Sequence, residues 1–170
     1  MAERIAELFA GLPPELITAL LGAIPLTELR GSIPWAIFVL DLSWQKALLF
    51  SIIGNLLPMP FIILLLDPAE KFLSRWSLFD RFFKWLFTRT RKRSGVVERY
   101  KAIGLMLFVA IPLPVTGAWT GSVAAHIFGI RFWRALVALA AGVCIAGIIV
   151  TLACQGAIGF WDISQKFVGQ

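Results

Sequence analysis

Ala23-Ile24-Pro25-Leu26-Thr27-Glu28-Leu29-Arg30-Gly31-Ser32 interrupts an apolar stretch near the N-terminus, and a degenerate copy of it stands about 88 positions later. Ala23-Ile24-Pro25-Leu26 returns as Ala110-Ile111-Pro112-Leu113, and Gly31-Ser32 returns as Gly121-Ser122. Lys46-Ala47-Leu48 with Gly54 returns as Arg134-Ala135-Leu136 with Gly142. The chain reads as a duplication. Proline breaks inside apolar segments, one per half, are the sequence pattern that points to the binding site of a transporter built from repeats.

Composition fixes the environment. The 170 residues are 59% hydrophobic and 15% charged, with a mean hydropathy of +0.83, far more apolar than a soluble domain, and the low-charge runs reach bilayer length. An all-α integral membrane protein is expected, as a single membrane domain. Met1 to Ala10 carries Glu3, Arg4 and Glu7 and lacks a basic start followed by an apolar core, so it does not read as a secretory signal and is expected to stay on the mature protein. Cys144 and Cys154 lie in apolar sequence as small hydrophobes, with no disulfide implied. No Gly-rich phosphate loop, metal-ligand cluster or Ser/His/Asp set is present. This argues against a hydrolase or an ATP-driven machine, and no enzyme activity, metal or cofactor is expected.

Charge orients the chain. Residues 67–101 hold ten basic side chains against four acids, so the whole net charge of +6 sits in this connector. The positive-inside rule places it in the cytoplasm. Phe72, Trp76, Phe79, Phe82, Phe83, Leu86 and Phe87 recur there at helical spacing, as in an amphipathic helix lying in the membrane interface against anionic lipid headgroups. Its plainest role is a topology anchor. Nucleic acid is not expected as a partner, because the aromatic stripe is regular and flanked by membrane segments.

Residues 44–66 and 133–157 are each long enough to span the hydrocarbon, at about 1.5 Å per residue against about 30 Å. Pro58 and Pro60 are expected to kink the first. Ala138, Gly142 and Ala146 give the second a small-residue face that admits a neighbouring helix, a candidate surface for a homodimer. The segments before these spans are shorter pieces around the breaks. Residues 14–40 and 103–128 therefore read as re-entrant hairpins, which makes 13–66 and 102–157 two units of hairpin plus transmembrane helix related as an inverted repeat. The first hairpin then dips from outside, the second from the cytoplasm, and both termini lie outside. A competing reading takes residues 5–26 and 103–128 as kinked spans in a four-helix protein, with both termini beside the connector. It leaves the polar first break and residues 33–40 without a natural place.

The candidate chemistry gathers at the breaks. Glu28 and Arg30 stand in otherwise apolar sequence, where ionisable groups are costly enough to be functional candidates by default. Desolvation favours the neutral form of Glu28 and a neighbouring cation such as Arg30 favours the charged form, so Glu28 is a candidate proton-sensitive switch. Alternatively the two side chains pair, or cap the free backbone groups of the break. The helices restarting near Ile33 and Ala118 offer free N–H groups and a positive dipole end to an anion. With Arg30, Ser32, Thr116, Gly117, Trp119 and Thr120 they outline a site for a phosphate or carboxylate headgroup. Ser32 and Ser122 also suit simple helix caps. Pro25, Gly31, Pro34, Pro112, Pro114 and Gly121 form the candidate gate at the helix breaks. His126, the only histidine, is a candidate proton relay or a satisfied interfacial residue. Arg131 and Arg134 are candidate headgroup contacts, with snorkelling as the plain alternative. The tryptophans at 35, 44, 133 and 161 fit an interfacial belt.

The first break, Thr27-Glu28-Leu29-Arg30-Gly31-Ser32-Ile33-Pro34, and the second, Ile111-Pro112-Leu113-Pro114-Val115-Thr116-Gly117-Ala118-Trp119-Thr120-Gly121, resemble those of the prokaryotic small multidrug export proteins, a family similar to a branch of the DedA (VTT, SNARE-associated) superfamily. The resemblance runs from about residue 13 to 157. It implies two re-entrant loops facing each other in a multi-pass protein of a prokaryotic plasma membrane. For the superfamily it implies lipid scrambling or translocation of a polyprenyl-phosphate carrier with proton coupling, the loop acid falling on Glu28. DedA proteins proper carry arginines in the second loop, whereas residues 114–121 here contain none and Arg131 and Arg134 are the next. Translocation of an amphiphilic anion such as a lipid phosphate is the leading expectation. A small-solute or multidrug exporter and a non-transporting assembly or lipid-binding protein are the alternatives. An acid on a helix break beside an arginine suits an anion better than a cationic drug.

Overall fold

The computed structural model describes residues 11–73, 81, 84–85, 88–89, 95–112 and 117–168. Seven helices carry nearly all of them, and no strand occurs among the described residues. They are α1 (Pro14–Ala23), α2 (Glu28–Phe38), α3 (Trp44–Leu56), α4 (Met59–Leu73), α5 (Gly95–Ala110), α6 (Ala118–Ile127) and α7 (Phe132–Val168). Each sequence copy thus folds as two short helices flanking a proline break, followed by a long apolar segment.

Local chemistry explains the boundaries. Pro14 opens α1 at a position where its missing N–H is not needed. Pro25, which cannot donate, follows the last turn. Pro58 falls in the turn between α3 and α4 within the apolar span Trp44–Leu66, so the expected kink is present. Pro60 is absorbed in the first turn of α4, where proline is tolerated. Helix α7 continues to Val168, well beyond the expected end near residue 157, and its apolar window is Phe132–Gly159. At 37 residues it is about 55 Å long. Trp44–Leu66 and Phe132–Gly159 are both long and apolar enough to cross a bilayer. The chain is a membrane protein.

Two compact units divide the chain. One takes it up to Gly54 and again from Gly147; the other is Asn55–Ala146. In the first, α1 packs along α2, and Gly54 lies so close to α1 that a Cβ there would come within 1.9 Å of the Ala19 carbonyl oxygen. In the second, α6 packs against both α4 and α5. A Cβ on Gly142 would meet the Met106 carbonyl oxygen at 2.7 Å. Gly54 and Gly142 correspond in the sequence repeat, as do Ala19 and Met106, and in each unit the helix before the break rests on a glycine of a later helix. Gly142, Ala138 and Ala146 are buried within the chain. On this face Gly142 lies against Met106 and Val109 of α5.

Helix α5 contains a break of its own at Lys101, which holds φ 51°, ψ −119°. The hairpin arm proper is therefore 102–110. In the connector, Arg81, Lys84, Trp85, Thr88 and Arg89 are helical and exposed, with the Arg89 guanidinium 5.2 Å from the Trp85 ring centre. The aromatic stripe expected through Trp76, Phe79, Phe82, Phe83, Leu86 and Phe87 lies outside the described residues, as does the Trp161 side chain.

Candidate functional site

The first break is narrower than its composition suggests. It occupies 24–27, and Glu28 already begins α2. Glu28, Leu29 and Arg30 are adequate helix formers once Pro25 is passed, and they continue the chain in a helix. Gly31 and Pro34, expected at the break, lie inside α2, and Gly121 lies inside α6. Gly31 is needed for closeness, since a Cβ there would stand 2.9 Å from Thr27 Cβ. Pro34 withholds one backbone donor from the second turn of α2. Gly121 makes room for Val109 and Leu139, whose methyls would lie 2.6 and 2.7 Å from a Cβ. These three residues shape the helices beside the breaks; Pro25 and Pro112 sit at the breaks themselves.

Glu28 is the unusual residue of the first break. It is buried, with 9% of its surface exposed, and its φ is +45°, a left-handed conformation that costs a non-glycine residue about 1–2 kcal/mol. Two local bonds hold the backbone there. The Glu28 N–H donates to the Ile24 carbonyl at 3.0 Å and the Gly31 N–H to that of Thr27 at 2.8 Å. The Thr27 hydroxyl donates to the Leu21 carbonyl, tying the break to the end of α1. Strain held by its surroundings in this way concentrates at functional sites. Arg30, half-buried, interacts with the Glu28 charge. Glu28 thus places a carboxylate beside the positive end of α2, where the free N–H groups would otherwise be offered to a ligand.

Ser32 does not cap. Fully buried, it donates at 2.8 Å to the hydroxyl of Ser51 on α3. Ser122 donates back to the Ala118 carbonyl at 2.8 Å, also without capping. At the start of α6 the cap comes from Thr120, whose hydroxyl accepts the Gly117 N–H at 2.9 Å. Trp119 and Thr120 are half-buried in the first turn of α6, and His126 is half-buried in its last turn. Pro114 and Thr116 lie outside the described residues. Arg131 and Arg134 are exposed at the start of α7, and Trp44 and Trp133 are exposed near the starts of the two long segments.

Sequence reasoning passed over Ser51, Asn55 and Thr151. All three are buried within the candidate spans, and Asn55 Oδ1 and Thr151 Oγ1 have no hydrogen-bond partner. The available signal was their position, since polar side chains inside a span need an internal partner. In the first unit Thr18, Glu28, Ser32, Ser51 and Thr151 are all buried. Thr18 bonds its own helix, its hydroxyl donating to the Pro14 carbonyl at 2.8 Å. On α7, Thr151 stands one turn beyond Gly147, whose face lies against Leu48 and Ile52 of α3.

The family model described as "Putative small multi-drug export protein" matches residues 28–149, from the first residue of α2 to the middle of α7. No curated protein and no solved structure matches the chain.

Proposed function

The chain belongs to the small multi-drug export protein family, and from that premise we propose that it is a transporter of an amphiphilic anion, a lipid phosphate or polyprenyl-phosphate carrier, driven by proton uptake at Glu28. The observation that carries this reading is the placement of Glu28: a buried, conformationally strained carboxylate at the positive end of a helix with Arg30 two residues on.

That placement suggests a mechanism of competition. While ionised, Glu28 satisfies the end of α2 and the Arg30 charge itself. Protonation removes the negative charge, leaving Arg30 and the helix end to an anionic headgroup. A partly buried helix terminus is worth up to about 2 kcal/mol to a charge, or about a 30-fold change in affinity. Loss of the proton would then expel the anion, so binding and release follow the protonation state. Ser32, on the same side of α2 as Glu28 and held by Ser51, fixes the orientation of the helix that carries the switch. Thr120 and Trp119 offer donors from the second copy, and His126 remains a candidate relay.

In this proposal the hairpins are re-entrant, the halves are inverted, and the protein lies in a prokaryotic plasma membrane with residues 67–101 in the cytoplasm. A homodimer is part of the same proposal. The family description favours a second reading, export of a small solute or drug. Proteoliposomes decide between them. Transbilayer movement of fluorescent phospholipid or polyprenyl phosphate by the native protein, slowed and made independent of pH in Glu28→Gln, supports lipid translocation. No movement of either lipid, with pH-dependent efflux of a small solute, supports the second reading; neither activity leaves a non-transporting lipid-binding role.

A further inference from the structure

In the first unit Lys46, on the first turn of α3, donates to the Glu15 carboxylate of α1 at 2.8 Å. The repeat counterpart of Lys46 is Arg134 on α7, and that of Glu15 is Ala102 on the arm 102–110. The second copy keeps the cation and replaces its carboxylate with a methyl group. Two further replacements accompany this one: Phe50 and Ile53 in the first copy correspond to Ala138 and Ala141 in the second.

The result is an open groove of about 460 Å³ between the arm and α7, with Ala102, Ala138 and Ala141 among the residues that line it. Ile103, Met106 and Val137 also line it, and every lining atom is apolar, so Arg134 contributes only its methylene stem. Arg134 and Trp133, both exposed, stand together at the start of α7. The strained Lys101, with φ 51°, immediately precedes Ala102. An aromatic and a cation at the head of an apolar span are the residues expected at headgroup depth. Below them lies a hydrocarbon-lined concavity that the fold does not require, because the other copy has larger side chains at the same positions.

We propose that this groove seats one acyl chain of an anionic phospholipid whose phosphate binds Arg134, taking the place that Glu15 holds beside Lys46. The occupant follows from charge and shape. A cation lacking the carboxylate of its repeat counterpart calls for an anion, and a groove walled only by hydrocarbon at membrane depth calls for a chain. The seat stands independently of the transport reading, since it lies in the second unit and does not involve Glu28.

The test is native mass spectrometry of the full chain in detergent, supplied with equal phosphatidylglycerol and phosphatidylcholine, with melting temperature as a control for folding. The native chain is expected to retain one phosphatidylglycerol in preference to phosphatidylcholine. Ala102→Glu supplies Arg134 with the missing carboxylate and should lower the preference about tenfold. Arg134→Gln should do the same, and Ala141→Phe should displace the lipid of either headgroup. Lys46→Gln should leave retention unchanged. Equal retention of the two lipids by the native chain, or unchanged phosphatidylglycerol preference in folded Ala102→Glu and Arg134→Gln, would overturn the proposal. Lipid retention is an equilibrium property, so it can hold where transport fails, and the reverse.

Discussion

On α3, Ser51 accepts the Ser32 hydroxyl inside the first unit; at the corresponding place on α7 stands Leu139, fully buried and packed where Gly121 of α6 leaves room. The two hairpins share their scaffold: arm, proline break, second arm starting four residues before a buried serine, and a glycine of the following long helix against the first arm. They differ in what fills it. The first places Glu28 and Arg30 at the start of its second arm, the second Ala118 and Thr120. The first copy buries a charged residue at its break and a serine pair between its second arm and α3, where the second has Ala118 and Leu139. A polar interior that the scaffold can do without is better explained by function than by folding.

The shared scaffold can be broken first. Gly54→Ala drives a Cβ into the Ala19 backbone and should cost about 3 kcal/mol or more, seen as loss of folded protein in a detergent melt. Gly142→Ala, with a milder approach of 2.7 Å to the Met106 oxygen, should cost about 1–2 kcal/mol in the same melt. Equal tolerance of both would show that the contact is not a common constraint. The polar difference comes next. Ser51→Ala strands the buried Ser32 hydroxyl and should cost about 1 kcal/mol, whereas Leu139→Ile, conserving volume, should cost less than about 1.5 kcal/mol and leave transport unchanged.

The smallest effect concerns Glu15. The hydrogen bond from Lys46 holds its carboxyl below the ordinary value of 4.5. A lowered folded value means that the contribution is intact above the ordinary value and is lost as pH falls through the lowered one. The melting temperatures of native protein and Lys46→Gln should therefore differ slightly at about pH 7 and converge once the pH falls below the lowered value. A difference that persisted at low pH would show that Lys46 acts there through packing.

Much of this architecture was legible. The span 44–66, its kink at Pro58 and the helices on either side of both breaks follow from apolar run length and proline placement, because both act locally. The end of α7 was not legible: hydropathy fades near residue 157 while the helix continues to Val168, and fading hydropathy is no helix-stop signal. Glu28 and Arg30 could be found because charge is conspicuous in apolar sequence. Ser51, Asn55 and Thr151 gave only the weaker signal of a lone hydroxyl or amide inside a span, which resembles ordinary composition until burial shows where it lies. The groove required the comparison of copies, for an alanine attracts notice only when its counterpart is Glu15.

The most direct test of the claim that the first copy carries the activity is the pH dependence of fluorescent anionic phospholipid movement in proteoliposomes, native protein against Glu28→Gln. The competition mechanism predicts movement by the native chain that varies with pH, and a variant that still binds the lipid, with lower turnover and no pH dependence. The same rate and pH profile in both proteins would contradict the account.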